Sequence, residues 1–205
     1  MELRQKMGSI LILLISSHFV FSQTSSDNKN DHVMSLSSII IEGSTNLNSF
    51  YFTYNKDKEK SIPLPETFKL ISYDSDIIRF NIPVKAFKGS IPDMEDDFQT
   101  LLKSSIYPNI SVGVEKNYVS KITYNKSDHH LNLYLTLAGK TKTIIATYST
   151  QLISENKIII NGVTQVDLSD FDMTPPVKFF GILRVKNLVT IKFDIITETK
   201  PYKST

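Results

Sequence analysis

A strict alternation of apolar and polar residues is the feature that most constrains how this chain can fold. Leu131, Leu133, Leu135 and Leu137 are separated by Asn132, Tyr134 and Thr136. An extended backbone puts all four leucines on one face, whereas a helix would scatter them around its circumference. Val189, Ile191, Phe193 and Ile195 alternate in the same way with Thr190, Lys192 and Asp194, and Phe80, Ile82 and Val84 with Arg79, Asn81 and Lys85. Phe50, Phe52 and Tyr54 share one side of another run. Further β-rich runs at 39–42, 110–114, 143–152 and 157–167 bring the expectation to about eight strands. Turn-prone residues separate several of them: Ala138-Gly139-Lys140, Glu155-Asn156 and Lys186-Asn187. Strands with one apolar face must bury that face, so the pattern predicts an all-β antiparallel sandwich or a closed barrel, without choosing between them. In 143–152 the residues Ile144, Ile145, Ala146 and Tyr148 break the alternation and leave the inward face unassigned.

One segment departs from this rhythm. Over 93–104 the apolar residues Met94, Phe98, Leu101 and Leu102 fall at helical spacing. Asp93 is placed to cap such a helix, and Glu95, Asp96 and Asp97 occupy the first turn, where the helix dipole favours anions. Pro108 marks the limit beyond it. The proline-containing stretches at 61–65 and 173–176 read as loops, because proline donates nothing to a strand ladder. No internal repeat or low-complexity block appears.

The N-terminus has a different character. Arg4 and Lys6 precede an apolar run from Ile10 to Phe21, followed by Ser22-Gln23-Thr24-Ser25-Ser26. That is the layout of a secretory signal, with cleavage expected after Ser22. The run, interrupted by Ser16, Ser17 and His18, is short for a span that needs ~20 apolar residues. The expected order is a signal peptide over 1–22, a flexible polar leader over 23–36, one domain over 37–197 and a C-terminal tail over 198–205. The exported product is then periplasmic or secreted and does not span a membrane. About 180 residues suffice for a single core. The 205-residue chain is 40% hydrophobic and 21% charged, which is too apolar for disorder.

The same composition narrows the chemistry. The absence of cysteine excludes disulfides, thiol catalysis and cysteine-ligated zinc. With 23 basic and 21 acidic residues there is no basic excess of the kind a nucleic-acid binder concentrates, and no nucleic-acid partner is expected. Only 7 glycines are present, and none forms a phosphate-binding loop. His129 and His130 are adjacent, so on a strand they point to opposite faces, and Ser127-Asp128-His129-His130 also reads as a hairpin turn. His32 falls in the leader. No Gly-x-Ser-x-Gly nucleophile elbow occurs. The carboxylate pairs Asp74/Asp76, Asp96/Asp97 and Asp167/Asp170 sit at a turn, a helix start and a loop rather than across a cleft. No catalytic residue, metal ligand or cofactor is therefore expected. What remains is an unusual supply of apolar and aromatic side chain along the strands. It reads either as a packed core or as the lining of a lumen for an apolar ligand. For a prenyl tail each buried methylene contributes about 0.8 kcal/mol, so such a site needs no charge.

Several short motifs, in order, resemble the YceI-like family. The stretch 135–142 (Leu-Thr-Leu-Ala-Gly-Lys-Thr-Lys) resembles its strand-turn signature, in which Gly-x-Thr-Lys begins the next strand. Glu42-Gly43-Ser44-Thr45-Asn46-Leu47-Asn48-Ser49-Phe50 is similar to the opening strand and turn of the branch found in Bacteroidota. Met94-x-x-Asp97-Phe98, Leu101-Leu102-Lys103 and Tyr107-Pro108-x-Ile110 resemble the family helix and the tyrosine-proline start of the following strand. Ser169-Asp170-Phe171 and Val189-x-Ile191-x-Phe193 match a later Asp-Phe element and the closing strand. The resemblance implies an eight-stranded lipocalin-like barrel with one inserted amphipathic helix, which in some members holds a polyisoprenoid such as a quinone tail. On that reading the protein is a non-enzymatic carrier of an apolar lipid, with a homodimer left open as its assembly. The lining is expected from Phe52, Phe80, Phe98, Leu133, Leu135, Tyr148, Phe171 and Phe193. The rival expectation is a structural or stress-related envelope protein whose barrel is filled solid and acts through its surface.

Overall fold

The computed structural model describes residues 31–54, 76–91, 94–119 and 126–200. The expected signal peptide, the 61–65 loop, Asp74 and the capping Asp93 lie outside them. The strands are β1 (Asp31–Ser44), β2 (Ser49–Tyr54), β3 (Ile77–Pro83), β4 (Phe87–Gly89), β5 (Asn109–Glu115), β6 (Lys126–Leu137), β7 (Lys140–Ser154), β8 (Lys157–Asp167), β9 (Val177–Lys178), β10 (Leu183–Arg184) and β11 (Leu188–Lys200). Nine of them form one antiparallel sheet in the order β3-β5-β6-β7-β8-β11-β1-β2-β4, and β9 pairs with β10 in a separate short ribbon.

The two ends of that order, β3 and β4, are consecutive in the chain. Only the 3-10 turn Val84–Ala86 separates them. The backbone itself therefore bridges the gap between the sheet's first and last strands, and the sheet curls into a nearly closed barrel rather than two stacked layers. Val84 N–H donates to the Pro108 carbonyl at 2.9 Å and Ser90 N–H to the Tyr51 carbonyl at 2.9 Å, so both sides of the bend are tied to neighbouring segments. The bend also accounts for nine strands where about eight are expected. Val84, the end of one alternating run, lies in the turn, because Pro83 at φ −60° ends the ladder and diverts the chain into β4.

Local chemistry places most of the remaining elements. Ala138 and Gly139 have φ of 46° and 83°, and Leu137 pairs with Lys140, so β6 and β7 join through a two-residue turn with both central residues left-handed. The ladder between β1 and β11 runs from Asp31↔Lys200 to Glu42↔Thr190, with a register shift between Leu36 and Ser38. It begins inside the segment expected as a flexible leader and continues beyond 197 into the expected tail. Backbone hydrogen bonds make that extension, and they leave no signature in side-chain hydrophobicity. The Ser127-Asp128-His129-His130 stretch, also readable as a turn, belongs to β6, with a register shift between Lys126 and His129.

The interior is filled from the alternating faces. Leu133, Leu135 and Leu137 are buried on β6 while Asn132 is exposed. On β7 the inward set is Ile144, Ala146, Tyr148 and Thr150, and Ile145 points outward at 63% exposure. The helix is shorter than expected: α1 covers Met94–Leu101, and a second short helix, α2, covers Lys116–Val119. Lys103 adopts φ 51°, its N–H donates to the Thr100 carbonyl, and Ser104 N–H reaches back to Gln99. This pair of bonds terminates α1 in the Schellman manner. Phe98 of α1 stacks on Phe52 with ring centroids 4.3 Å apart and lies 5.4 Å from Phe87, which fixes the helix across one end of the barrel.

Candidate functional site: two apolar chambers in series

Two cavities occupy the barrel. The inner one, of about 110 Å³, is lined by Leu36, Ile39, Phe80, Ile82, Phe87, Val112, Val114, Tyr118, Leu131, Leu133, Leu135, Ile144, Tyr148, Ile160, Thr164, Phe193 and Ile195, together with Ile41, Ile110 and Ile191. Among the described residues no charged side chain lines it. Thr164 Oγ1, one of its few polar atoms, is satisfied within the wall by donating to the Ile145 carbonyl at 2.8 Å. The Tyr148 phenol, partly withdrawn from water, has its pKa raised by that burial.

The outer cavity, of about 370 Å³, lies under α1 and the β9–β10 ribbon. Its walls include Phe50, Phe52, Met94, Phe98, Leu101, Leu102, Leu137, Val166, Leu168 and Val189, and its rim carries Thr45, Asn48, Ile91, Asp97, Lys178, Phe179 and Leu183. Lys178 of the ribbon meets Asp97 of α1 at 2.8 Å, so an ion pair spans the mouth from one side to the other. Ile41, Ile110 and Ile191 line both cavities. Ile41 and Ile191 are directly paired across β1 and β11, with Ile110 on β5. These three branched side chains form the neck between the two chambers.

Seven of the eight residues expected to line a lumen take places on these walls. Phe80, Leu133, Leu135, Tyr148 and Phe193 face the inner chamber, and Phe52 and Phe98 face the outer one. Phe171 does not. It is 3% exposed and packs in the core from a 3-10 turn (Leu168–Phe171) that follows β8. That turn is set by Asp167, whose carboxylate accepts from both Ser169 N–H and Oγ, at 2.9 and 2.6 Å. These bonds hold the Asp167 pKa below its ordinary value. The ribbon residues Phe179, Leu183 and Val185 escaped sequence reasoning because two-residue strands show no period. The signal present there was a short apolar run over 177–185, interrupted by Lys178, Gly181 and Arg184.

The inventory for catalysis is sparse at both chambers. His129 packs against the Tyr148 ring at 5.6 Å, while His130 is exposed, its Nδ1 3.3 Å from Thr147 Oγ1. Among the described residues no three His, Asp or Glu side chains converge on a metal position. No helix among them is long and apolar enough to cross a membrane.

The family model for the YceI-like domain matches residues 19–197. Among curated proteins, none matches the chain. Solved structures share the fold. A polyisoprenoid binding domain from Saccharophagus degradans, implicated in plant cell wall breakdown, superposes with a TM-score of 0.59 at 12% identity, over 84% of this chain and 100% of that one. BcnA from Burkholderia cenocepacia superposes with a TM-score of 0.52 at 14% identity, over 78% and 94% of the two chains.

Proposed function

We propose that this chain, which belongs to the YceI-like family, is an exported, non-enzymatic barrel that holds a long apolar ligand such as a polyisoprenoid or a quinone tail. The observation that carries this reading is the pair of adjacent apolar chambers that share Ile41, Ile110 and Ile191, the inner one lined by no charged side chain among the described residues. The outer chamber falls within the ~300–1,000 Å³ usual for small-molecule sites. The inner one is narrow and almost wholly apolar, suited to the end of a chain and hostile to a polar head. A ligand with a polar head and a prenyl tail would thread its tail past Ile41, Ile110 and Ile191 and leave its head at the rim, beside Asn48, Asp97 and Lys178. The polyisoprenoid-binding description of the Saccharophagus domain supports the same class of ligand. Lipid mass spectrometry of protein purified from its native host tests the proposal. A co-purified prenyl lipid, or uptake of prenylquinones in vitro, is expected; bare protein that takes up none overturns it.

One observation favours a second reading. An inner chamber of about 110 Å³ is small enough to be a packing defect, so the barrel would then act through its surface. In that case Phe80→Ala costs stability, about 3–5 kcal/mol, and changes no ligand.

A further inference from the structure

The β9–β10 ribbon ends in a tip that the barrel does not explain. Residues 177–183 read Val-Lys-Phe-Phe-Gly-Ile-Leu. Phe179 is 71% and Ile182 65% exposed, and Phe180 is fully exposed. Exposed apolar residues scattered singly on a surface are ordinary, but three within four positions at a loop tip mark an interaction site. The backbone adds to this. Phe179, Phe180 and Gly181 all have left-handed φ, at 52°, 54° and 93°. Two consecutive aromatic residues are held in that region at a conformational cost, with the Phe180 side chain wholly in solvent.

The tip is nonetheless firmly mounted. Asn46, in the β1–β2 turn, donates through Nδ2 to the Ile182 carbonyl at 2.9 Å and accepts from Arg184 N–H at 2.9 Å. Thr45 bridges to Val185, and Lys186 N–H donates to the Ser44 carbonyl at 2.9 Å. Leu47, in the same β1–β2 turn, is 71% exposed. The ribbon thus presents its apolar tip at the rim of the outer chamber, to which Phe179 itself contributes.

Charge identifies the occupant. Between Met173 and Phe193 the chain carries no acidic residue; of its four cations Lys178 is paired with Asp97 and Lys192, on the barrel wall, with Glu42, which leaves Arg184 and Lys186 next to the tip. Arg184 folds back so that its Nε donates to the Gly181 carbonyl at 3.1 Å, which holds its guanidinium against the backbone of the tip. The carboxylates of α1 lie across the mouth, and the nearest, Asp97, is occupied by Lys178. Aromatic and aliphatic side chains projecting ahead of cations is the arrangement that enters the headgroup and acyl boundary of an anionic bilayer. We propose that the 179–182 tip is a wedge that inserts into the surface of an anionic phospholipid membrane and sets the mouth of the outer chamber against it. The docking stands without the carrier proposal; only its use for ligand exchange rests on that reading.

The chain has no tryptophan, so Phe180→Trp creates a single fluorescent reporter at the tip. Its emission is expected to shift to the blue on vesicles of phosphatidylglycerol and phosphatidylcholine, more weakly on phosphatidylcholine alone, and less as salt rises. In a separate variant, Phe180→Asn with Ile182→Ser, vesicle co-sedimentation is expected to weaken on the order of tenfold or more. Asparagine tolerates the left-handed backbone, and neither side chain lines a chamber, so this variant should still take up a fluorescent polyene from solution. Loss of vesicle binding with retained polyene uptake supports the wedge. An unshifted emission on both kinds of vesicle overturns it, whatever the ligand result. So does a blue shift that grows with protein concentration in the absence of lipid, which would assign the tip to a second copy of the chain.

Discussion

Gly162 sits directly opposite Phe193 across β8 and β11, and a Cβ added there would fall inside the Phe193 ring. Gly43 stands in the same relation to Phe50 across β1 and β2. In both pairs the outer end of a ring occupies the space that a side chain at the glycine would need, and at Gly162 that ring belongs to the inner chamber. Gly162→Ala must displace the Phe193 ring, with an expected cost of about 1–3 kcal/mol in urea denaturation. An unchanged midpoint would mean the ring is not held there. A second expectation concerns acid. The carboxylates of Asp167 and Asp172 are held below their ordinary range, the first by Ser169, the second by Lys140 at 2.6 Å. An aspartate depressed in the folded state contributes stability that is complete above its unfolded value and fades as pH falls through the folded one. The barrel should therefore lose stability from these groups only below about pH 4. Asp167→Asn keeps an acceptor for Ser169 but removes the titration. Thermal melts across that range should show a shallower acid limb for the variant, with its difference from the parent largest near neutrality and vanishing in acid.

At the scale of elements, α1 and the ribbon face each other across the outer chamber but are held in different ways. The helix is fixed by Phe98, stacked on Phe52 and close to Phe87. Phe98→Ala is expected to destabilise by about 3–5 kcal/mol and to widen the outer chamber. The link from α1 to the ribbon is an ion pair between partly exposed side chains, Asp97 and Lys178. Such pairs contribute about 0–1 kcal/mol, so Lys178→Ala should hardly move the melting temperature. If that substitution cost as much as Phe98→Ala, the ribbon would be part of the core and not a rim. These two elements also show where pattern reading reaches and where it stops. Four apolar residues at helical spacing disclosed α1 and its buried face, although its end came from the left-handed Lys103, which no propensity indicates. The ribbon's strands are too short for any period to register, and it is built by bonds from Asn46, more than a hundred residues earlier in the chain.

For the molecule as a whole, closure and continuity of the interior decide what fits. The neck of Ile41, Ile110 and Ile191 separates the outer chamber from the inner one. Ile191→Phe should narrow it. Native mass spectrometry with prenylquinones of stepped tail length is then expected to show short tails retained and long tails lost. Equal loss at every length would place the ligand elsewhere.

Alternation along single runs determined which faces of β3, β6 and β11 turn inward, and with them Phe80, Leu133, Leu135 and Phe193 as wall residues. Composition alone removed thiol chemistry, and the order of short motifs pointed to the YceI-like family. Period two is a property of one strand, however, and carries no information about which strand lies beside it. Only the assembled ladder decided that β3 and β4 are opposite ends of one sheet joined by their own chain, that polar residues from Asp31 extend β1, and that Ile145 faces solvent while Ile144 faces the cavity. Phe171 shows the same limit: its hydrophobicity foretold burial, but whether a buried ring fills the core or borders a void depends on residues distant in sequence.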